Sequence, residues 1–181
     1  IEGPTMQDTS YVCVVDRWGN AFSATPSDPL AGSPIVPGLG IQISSRGSQS
    51  WLDPEHPSSV QPGKRPRLTP NPAIVFKDGK LFMPFGTPGG DTQCTSMVQL
   101  FLNIVEFGMD PQLAIEQPRF APWNFPNSFW PHTYDPGRLD LEARIDINTV
   151  KQLTDRGHKT QILNDWSPSM GALSAIVVDN S

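Results

Sequence analysis

The sequence predicts an α+β fold in which mostly antiparallel strand pairs and two or three helices stack in layers. Three observations carry that prediction. Short β-branched runs are joined by tight polar turns, one longer apolar segment has helical periodicity, and 20 of the 181 residues are proline. Proline at about twice its ordinary share of ~5% rules out a mostly helical chain, because each internal proline costs a helix about 3 kcal/mol. The 15 glycines and 20 prolines still fall short of the roughly 25–30% that marks disordered sequence. A chain of 181 residues is long enough for one domain with a core.

Residues 11–16, Tyr-Val-Cys-Val-Val-Asp, read as a buried strand. Arg17-Trp18-Gly19-Asn20 is a turn and residues 21–25 are its hairpin partner, ended by Pro26. Ten prolines fall between positions 26 and 72, and only residues 41–44 there look like a strand. A loop of that length inside a compact domain is uncommon and usually functional. Its apolar residues, among them Ile35, Val36, Trp51 and Val60, predict an ordered covering loop. Residues 73–76 and 81–85 form a second hairpin, with Asp78-Gly79 as its turn. A helix follows over residues 92–107, capped by Asp91, closed by Gly108 and apolar enough to be mostly buried. Asp110-Pro111 opens a shorter helix that stops before Pro118. Residues 118–136 interleave aromatics with prolines; a loop packed on the core by its own rings is expected, a binding platform being the other option. Strands at 139–145, 159–163 and 172–178 and a helix at 147–156, closed by Gly157, complete the chain.

Charge and composition exclude whole classes of function. Thirteen Lys and Arg against 18 Asp and Glu give a net charge of −5, so a basic nucleic-acid-binding face is not expected. No apolar run approaches the ~20 residues that span a bilayer; the stretch 97–107 is interrupted by Gln99, Asn103 and Glu106. No secretory signal is visible in residues 1–10, which says little if the chain is a fragment. The compartment therefore stays open between cytoplasmic and periplasmic or secreted. Cys13 and Cys94 form no spaced pair and read as buried free thiols. His56, His132 and His158 are scattered, without metal-ligand spacing or a Gly-x-Ser-x-Gly partner, so neither a metal, a cofactor nor a Ser-His-Asp triad is expected. The glycine-rich residues 86–91 lack the Lys-Ser/Thr of a phosphate-binding loop but suit a pair of backbone donors at a helix start.

Thr9 stands at the lip of the first strand. Alone it is an ordinary strand-start threonine. The pattern Thr-x-x-x-x-Val-Val-Asp-x-x-Gly-Asn-Ala that it begins is followed by Pro62-Gly63-Lys64-Arg65-Pro66 and Asn71-Pro72-Ala73-Ile74-Val75. Gly86-Thr87-Pro88-Gly89-Gly90, Phe107-Gly108-Met109 and Ala114-Ile115-Glu116-Gln117-Pro118-Arg119-Phe120 come next. In this order the segments resemble the small subunit of the γ-glutamyltranspeptidase family of N-terminal-nucleophile hydrolases, over nearly the whole chain. The resemblance implies an αββα sandwich, of which this chain is the C-terminal part. It further implies a precursor that cleaves itself before a threonine, here between Asp8 and Thr9, leaving residues 1–8 as a pre-nucleophile segment and 9–181 as the small subunit.

The same resemblance assigns Thr9 as nucleophile, Ser27 as the hydroxyl that bonds it, and Gly89 and Gly90 as the oxyanion-hole pair. Thr69 matches the second of two serines that hold a substrate carboxylate. Gln49 stands where the family's acidic residue holds the substrate α-amine, Leu68 replaces the first serine, and Pro29 replaces an asparagine. Arg46-Gly47-Ser48 is similar to the acylase-like branch. Arg46 would repel an ammonium group and pair with a carboxylate; the alternative is a solvated loop charge. The implied activity is hydrolysis or acyl transfer on a small-molecule amide bearing a carboxylate, with a true γ-glutamyl hydrolase or an inactive homologue as alternatives. The implied partner is the large N-terminal subunit of the same precursor. Without it the chain is expected to be inactive and to expose apolar surface or pair with another copy.

Overall fold

A computed structural model of the chain describes residues 9–28 and 33–179. The segment 1–8 and Pro29 lie outside the described residues. The first hairpin joins β1 (Val12–Val15) to β2 (Ala21–Ala24), with Val12 opposite Ala24 and Val15 opposite Ala21. Asp16 builds the turn: its carboxylate accepts the backbone N–H groups of Trp18 and Asn20 and the Asn20 side chain. Gly19 supplies the left-handed residue at φ +84°.

Inside the proline-rich segment, β3 (Ile35–Val36) pairs with β4 (Ile41–Gln42). Only the second was predicted, as part of residues 41–44; β3 lies between Pro34 and Pro37, which hide it as a strand. The expected ordered covering loop is present. Trp51 is stacked between the rings of His56 and His132, at 3.9 and 4.2 Å between centroids. The backbone N–H of Trp130 also donates to Ser48 O at 2.8 Å, which ties the loop to the aromatic segment 123–134.

The central sheet has the order β10-β6-β5, all antiparallel, from β5 (Ala73–Lys77), β6 (Lys80–Gly86) and β10 (Ser174–Ala175). Asp78 and Gly79 both have positive φ, 51° and 77°, as the tightest hairpin turn requires. Beyond β10, Ile176 and Val178 N–H groups donate to Pro84 and Phe82 carbonyls, so the predicted strand 172–178 is real in its bonding. α1 (Gln93–Val105) and α2 (Pro111–Glu116) cover this sheet. Met83, Phe85, Met97, Leu100, Ile104, Ala114 and Leu173 form the core between them. The first hairpin packs against β6 from elsewhere, with the Tyr11 ring so close to Gly86 that any Cβ there would collide with it.

A second small core of Leu139, Leu141 and Val150 lies under α3 (Ile147–Asp155). Its sheet has the order β7-β8-β9, from β7 (Phe120–Pro122), β8 (Arg138–Glu142) and β9 (Lys159–Leu163). Here β8 and β9 are parallel, within a set of sheets that is otherwise antiparallel among the described residues, as the expected mostly antiparallel fold allows. The intervening α3 provides the crossover that a parallel pair needs.

Four expectations about the elements are corrected. Asp91 does not cap α1; a short 3₁₀ turn over Gly90–Thr92 precedes the helix, Thr92 is its N-cap, and Asp91 is used elsewhere. α1 is buried only through Gln93, Ser96, Met97, Leu100 and Ile104, while Val98, Leu102, Val105 and Phe107 face outward at 42–67% exposure. The first hairpin is likewise not buried, with Val12, Val14 and Phe22 about half exposed. Cys94 is exposed on that outer side of α1 and Cys13 is half-buried, both as free thiols. The apolar periodicity runs around most of the helix, but its outer half has nothing to cover it among the described residues.

Candidate active site

The first hairpin assembles the centre. Its pairing extends past β1 and β2 through the Ser10 N–H, which donates to Pro26 O at 2.9 Å. That places Thr9 and Ser27, 18 positions apart, side by side, with Thr9 Oγ1 at 2.5 Å from Ser27 Oγ. Tyr11 anchors the same strand: its hydroxyl lies 2.7 Å from Ser23 Oγ. Burial pushes the Tyr11 phenol up to about 12, against the Ser23 hydrogen bond that pulls it down.

Ser27 is in turn held by Arg46. The short 3₁₀ turn Ser45–Gln49, opened by the Ser44 side chain accepting the Arg46 N–H, aims the guanidinium at it. Nε donates to Ser27 O at 2.5 Å, Nη2 donates to Ser27 Oγ, and Nη1 lies 3.5 Å from Thr69 Oγ1. Gln49 Nε2 donates to Thr69 Oγ1 at 3.1 Å. Arg46 is 9% exposed and Gln49 fully buried, which removes the solvated-charge alternative for Arg46. Among the described residues no carboxylate lies within ion-pair distance of Arg46. Burial lowers its pKa from the ordinary value, and the more distant charge of Asp28 works the other way. The Phe129 ring lies 5.3 Å from the guanidinium, in cation–π range.

Thr9 also borders a cavity of about 320 Å³ together with Gly89, Gly90, Trp123, Asn127 and Ser169. That is at the small end of ligand-site volumes. Both glycines have positive φ, 133° and 56°, and a Cβ on Gly89 would sit 2.8 Å from Thr92 Oγ1. The seven residues singled out in the sequence thus fall into two groups that share Thr9. One is Thr9 with Gly89 and Gly90 on the cavity; the other is the chain Ser27, Arg46, Thr69 and Gln49.

The glycine segment is fixed from behind by parts of the sequence that gave no signal. The Ala172 N–H donates to Thr87 Oγ1 at 2.8 Å, and Thr92 Oγ1 lies 2.8 Å from both Gly89 O and Ser169 O. Gly171, at φ +79°, approaches so closely that a Cβ would strike Pro88 O and Thr87 Oγ1. The 168–172 turn is itself held by Arg119, whose Nη1 donates to Met170 O and Gly171 O while Nη2 pairs with fully buried Glu142 at 3.1 Å. Arg144 closes the other Glu142 oxygen at 2.6 Å. Asp91 accepts the Ser128 N–H at 2.7 Å and the Ser128 hydroxyl, fastening the 123–134 loop to the glycines. That loop is not packed on the core by its rings as expected: Phe120, Phe125, Trp130 and Tyr134 are exposed, while Trp123 and Asn127 line the cavity and Phe129 lies over Arg46. Among the described residues no cluster of three or more His, Cys, Asp or Glu is gathered to hold a metal ion, and no helix is long and apolar enough to cross a membrane.

Known proteins are similar to this chain in sequence and in fold. The family model for gamma-glutamyltranspeptidase matches residues 2–181. The chain is 36% identical over 178 residues to the glutathione hydrolase-like YwrD proenzyme of Bacillus subtilis, covering 97% of this chain and 33% of that protein. It is 34% identical over 173 residues to the oxamate amidohydrolase proenzyme of Klebsiella pneumoniae, covering 94% and 31%. Among solved structures, LmbA2991HD superposes with a TM-score of 0.85 at 40% identity, over 94% of this chain and 30% of that one. An acivicin-inhibited gamma-glutamyltranspeptidase superposes with a TM-score of 0.75 at 27% identity, over 94% of this chain and 90% of that one. The chain spans about a third of the length of the curated relatives it matches. By sequence and by its N-terminal-nucleophile hydrolase fold, the chain belongs to the gamma-glutamyltranspeptidase family.

Proposed function

We propose that this chain is the catalytic, C-terminal part of a longer amide-hydrolase precursor, with Thr9 as its nucleophile. The observation that carries the reading is the position of Thr9, whose hydroxyl touches Ser27 Oγ at 2.5 Å and borders one cavity with Gly89 and Gly90. Cleavage of the Asp8–Thr9 peptide frees an α-amine with a pKa of about 7.7–8, suited to act as general base for the hydroxyl of the same residue. The amine takes the Oγ1 proton as Oγ1 attacks the substrate carbonyl, and the Gly89 and Gly90 N–H groups receive the oxyanion. The C–N bond then breaks and the amine product leaves with the proton. Water attacks the resulting ester and gives a proton to the α-amine, which passes it to Oγ1 as the ester C–O bond breaks and the acid is released; an amine in place of water gives acyl transfer. Losing one oxyanion donor costs about 10²–10³ in rate. The relatives named as proenzymes support the cleavage step.

Arg46 supports an acyl group that carries a carboxylate. A buried charge without a counter-ion is costly, and the substrate supplies that counter-ion. A γ-glutamyl substrate is the second reading: Gln49 Oε1 is buried with no hydrogen-bond partner, and a substrate ammonium would donate to it. The full-length precursor tests the scheme by intact mass before and after incubation. The expected result is two fragments joining at Asp8–Thr9, with Thr9→Ala uncut and inactive. A single uncut chain that still hydrolyses amides would overturn Thr9 as nucleophile. Preference for γ-glutamyl-p-nitroanilide over an acyl amide lacking the α-amine would install the second reading.

A further inference from the structure

Resting on that reading of Thr9, the geometry assigns a further residue to the reaction. We propose that Arg46 is a positioning residue for the nucleophile: its guanidinium clamps Ser27 and turns the Ser27 hydroxyl proton onto Thr9 Oγ1, where negative charge develops during attack.

The clamp has two prongs, and both land on one residue. Arg46 Nε donates to Ser27 O at 2.5 Å, and Nη2 donates to Ser27 Oγ. A planar fork that grips the carbonyl and the hydroxyl of the same serine holds that side chain in one orientation, with Oγ 2.5 Å from Thr9 Oγ1. The guanidinium is held in its turn. The Arg46 backbone N–H donates to Ser44 Oγ, the Phe129 ring lies 5.3 Å from the guanidinium, and Nη1 lies 3.5 Å from Thr69 Oγ1.

The proton between the two hydroxyls has a favoured direction. A serine hydroxyl carries one proton and two lone pairs. With Nη2 on one lone pair, Ser27 Oγ is a poorer acceptor and its O–H a stronger donor, because hydrogen bonds in a chain polarise one another. The bond therefore runs from Ser27 to Thr9. Thr9 Oγ1 keeps its own proton for the α-amine, and as that proton leaves, the growing charge meets a donor already in place. The same bond receives Oγ1 again when water opens the ester. Arg46 is 9% exposed, and among the described residues no carboxylate within ion-pair distance cancels its charge before it acts on Ser27.

The cavity agrees with an indirect role. Thr9, Gly89 and Gly90 border it, and neither Ser27 nor Arg46 does. Arg46 reaches the chemistry through Ser27, and it does so whatever acyl group is being transferred.

Self-cleavage of the full-length precursor tests this without a chosen substrate, because the attacking atom is the same. The bond from Thr9 Oγ1 to the Asp8 carbonyl carbon forms, the Asp8–Thr9 C–N bond breaks, and the Oγ1 proton passes to the freed α-amine; water then opens the ester. Cleavage half-times are read by intact mass for wild type, Arg46→Met, Ser27→Ala and the double variant. Ser27→Ala should slow cleavage about a hundredfold, and Arg46→Met about tenfold or more. The double variant should be no slower than Ser27→Ala alone, since residues that act as a unit are not additive. Arg46→Lys keeps the charge without the fork; it should also be slowed, and it carries the comparison if Arg46→Met does not fold. In the matured Arg46→Lys enzyme, kcat on γ-glutamyl-p-nitroanilide should fall by more than KM rises. Cleavage at the wild-type rate in Arg46→Met, a slowing that multiplies that of Ser27→Ala, or a loss confined to KM would overturn the positioning role and leave Thr9 as nucleophile. A wild-type precursor that stays uncut yet hydrolyses amides would overturn Thr9 as nucleophile, and the role of Arg46 with it.

Discussion

At the scale of single residues, Glu142 is the side chain on which most of the site's backing converges. It is fully buried, pairs with Arg119 and Arg144, and accepts the Arg119 and Ser167 N–H groups. Glu142→Ala strands Arg119 without its partner in the interior, and breaking a buried pair in this way costs about 3–5 kcal/mol. Urea unfolding of the variant should show that loss; a change under 1 kcal/mol would mean that the pair does not hold the 168–172 turn. Thr9, Gly89 and Gly90 could be singled out because they sit in the short motifs 9–21 and 86–90, whereas Ser27, Arg46, Gln49 and Thr69 lie outside every quoted motif and were placed only by the resemblance. Neither route reached Glu142 and Asp91. Glu142 looked like a strand residue and Asp91 like a helix cap, since their partners stand 23 and 37 positions away, where no local pattern reaches.

At the scale of elements, the turns were the most legible parts. Asp78-Gly79, Asp110-Pro111 and Gly157 each need a specific backbone conformation that few residues tolerate, so their chemistry announces the boundary. The two-residue β3 and the three-residue β7 carry too few positions for any alternation, and only tertiary bonding defines them. The parallel direction of the β8–β9 pair was not legible because it is set by the α3 crossover, not by the strands' composition. Under the proposed function, the 168–172 turn acts through the glycines it backs. Gly171→Ala introduces a Cβ into Pro88 O and Thr87 Oγ1 at a left-handed backbone position. It should displace the Gly89-Gly90 donors and lower kcat about 10²–10³-fold, with KM little changed. Steady-state kinetics on the matured enzyme checks this, and a variant with native kcat would show that the glycines are not fixed from behind.

For the whole molecule, two apolar faces are left open among the described residues. One is the outer side of α1, where Val98, Leu102, Phe107 and Phe120 line a groove of about 490 Å³; the other is the hairpin face of Val12, Val14 and Phe22. Helical and strand periodicity identified both sets as core, which they would be inside a larger body. Under the proposed function the remaining part of the precursor covers them. The chain expressed alone should therefore self-associate at micromolar concentration and show no amidase activity, with both properties reversed when it is produced as part of the full precursor. Sedimentation velocity of the isolated chain reads the first property, and a monodisperse monomer would show that these faces need no cover.

The buried guanidinium has a practical side as well. Arg46 has no carboxylate within ion-pair distance among the described residues, and its neighbours Ser27 and Thr69 offer only hydroxyl and carbonyl oxygens. On the proposed reading any small anion that diffuses in competes for the same charge as the substrate. Sulfate, phosphate and chloride then behave as inhibitors, and the apparent KM of the enzyme is a property of its buffer as much as of its substrate.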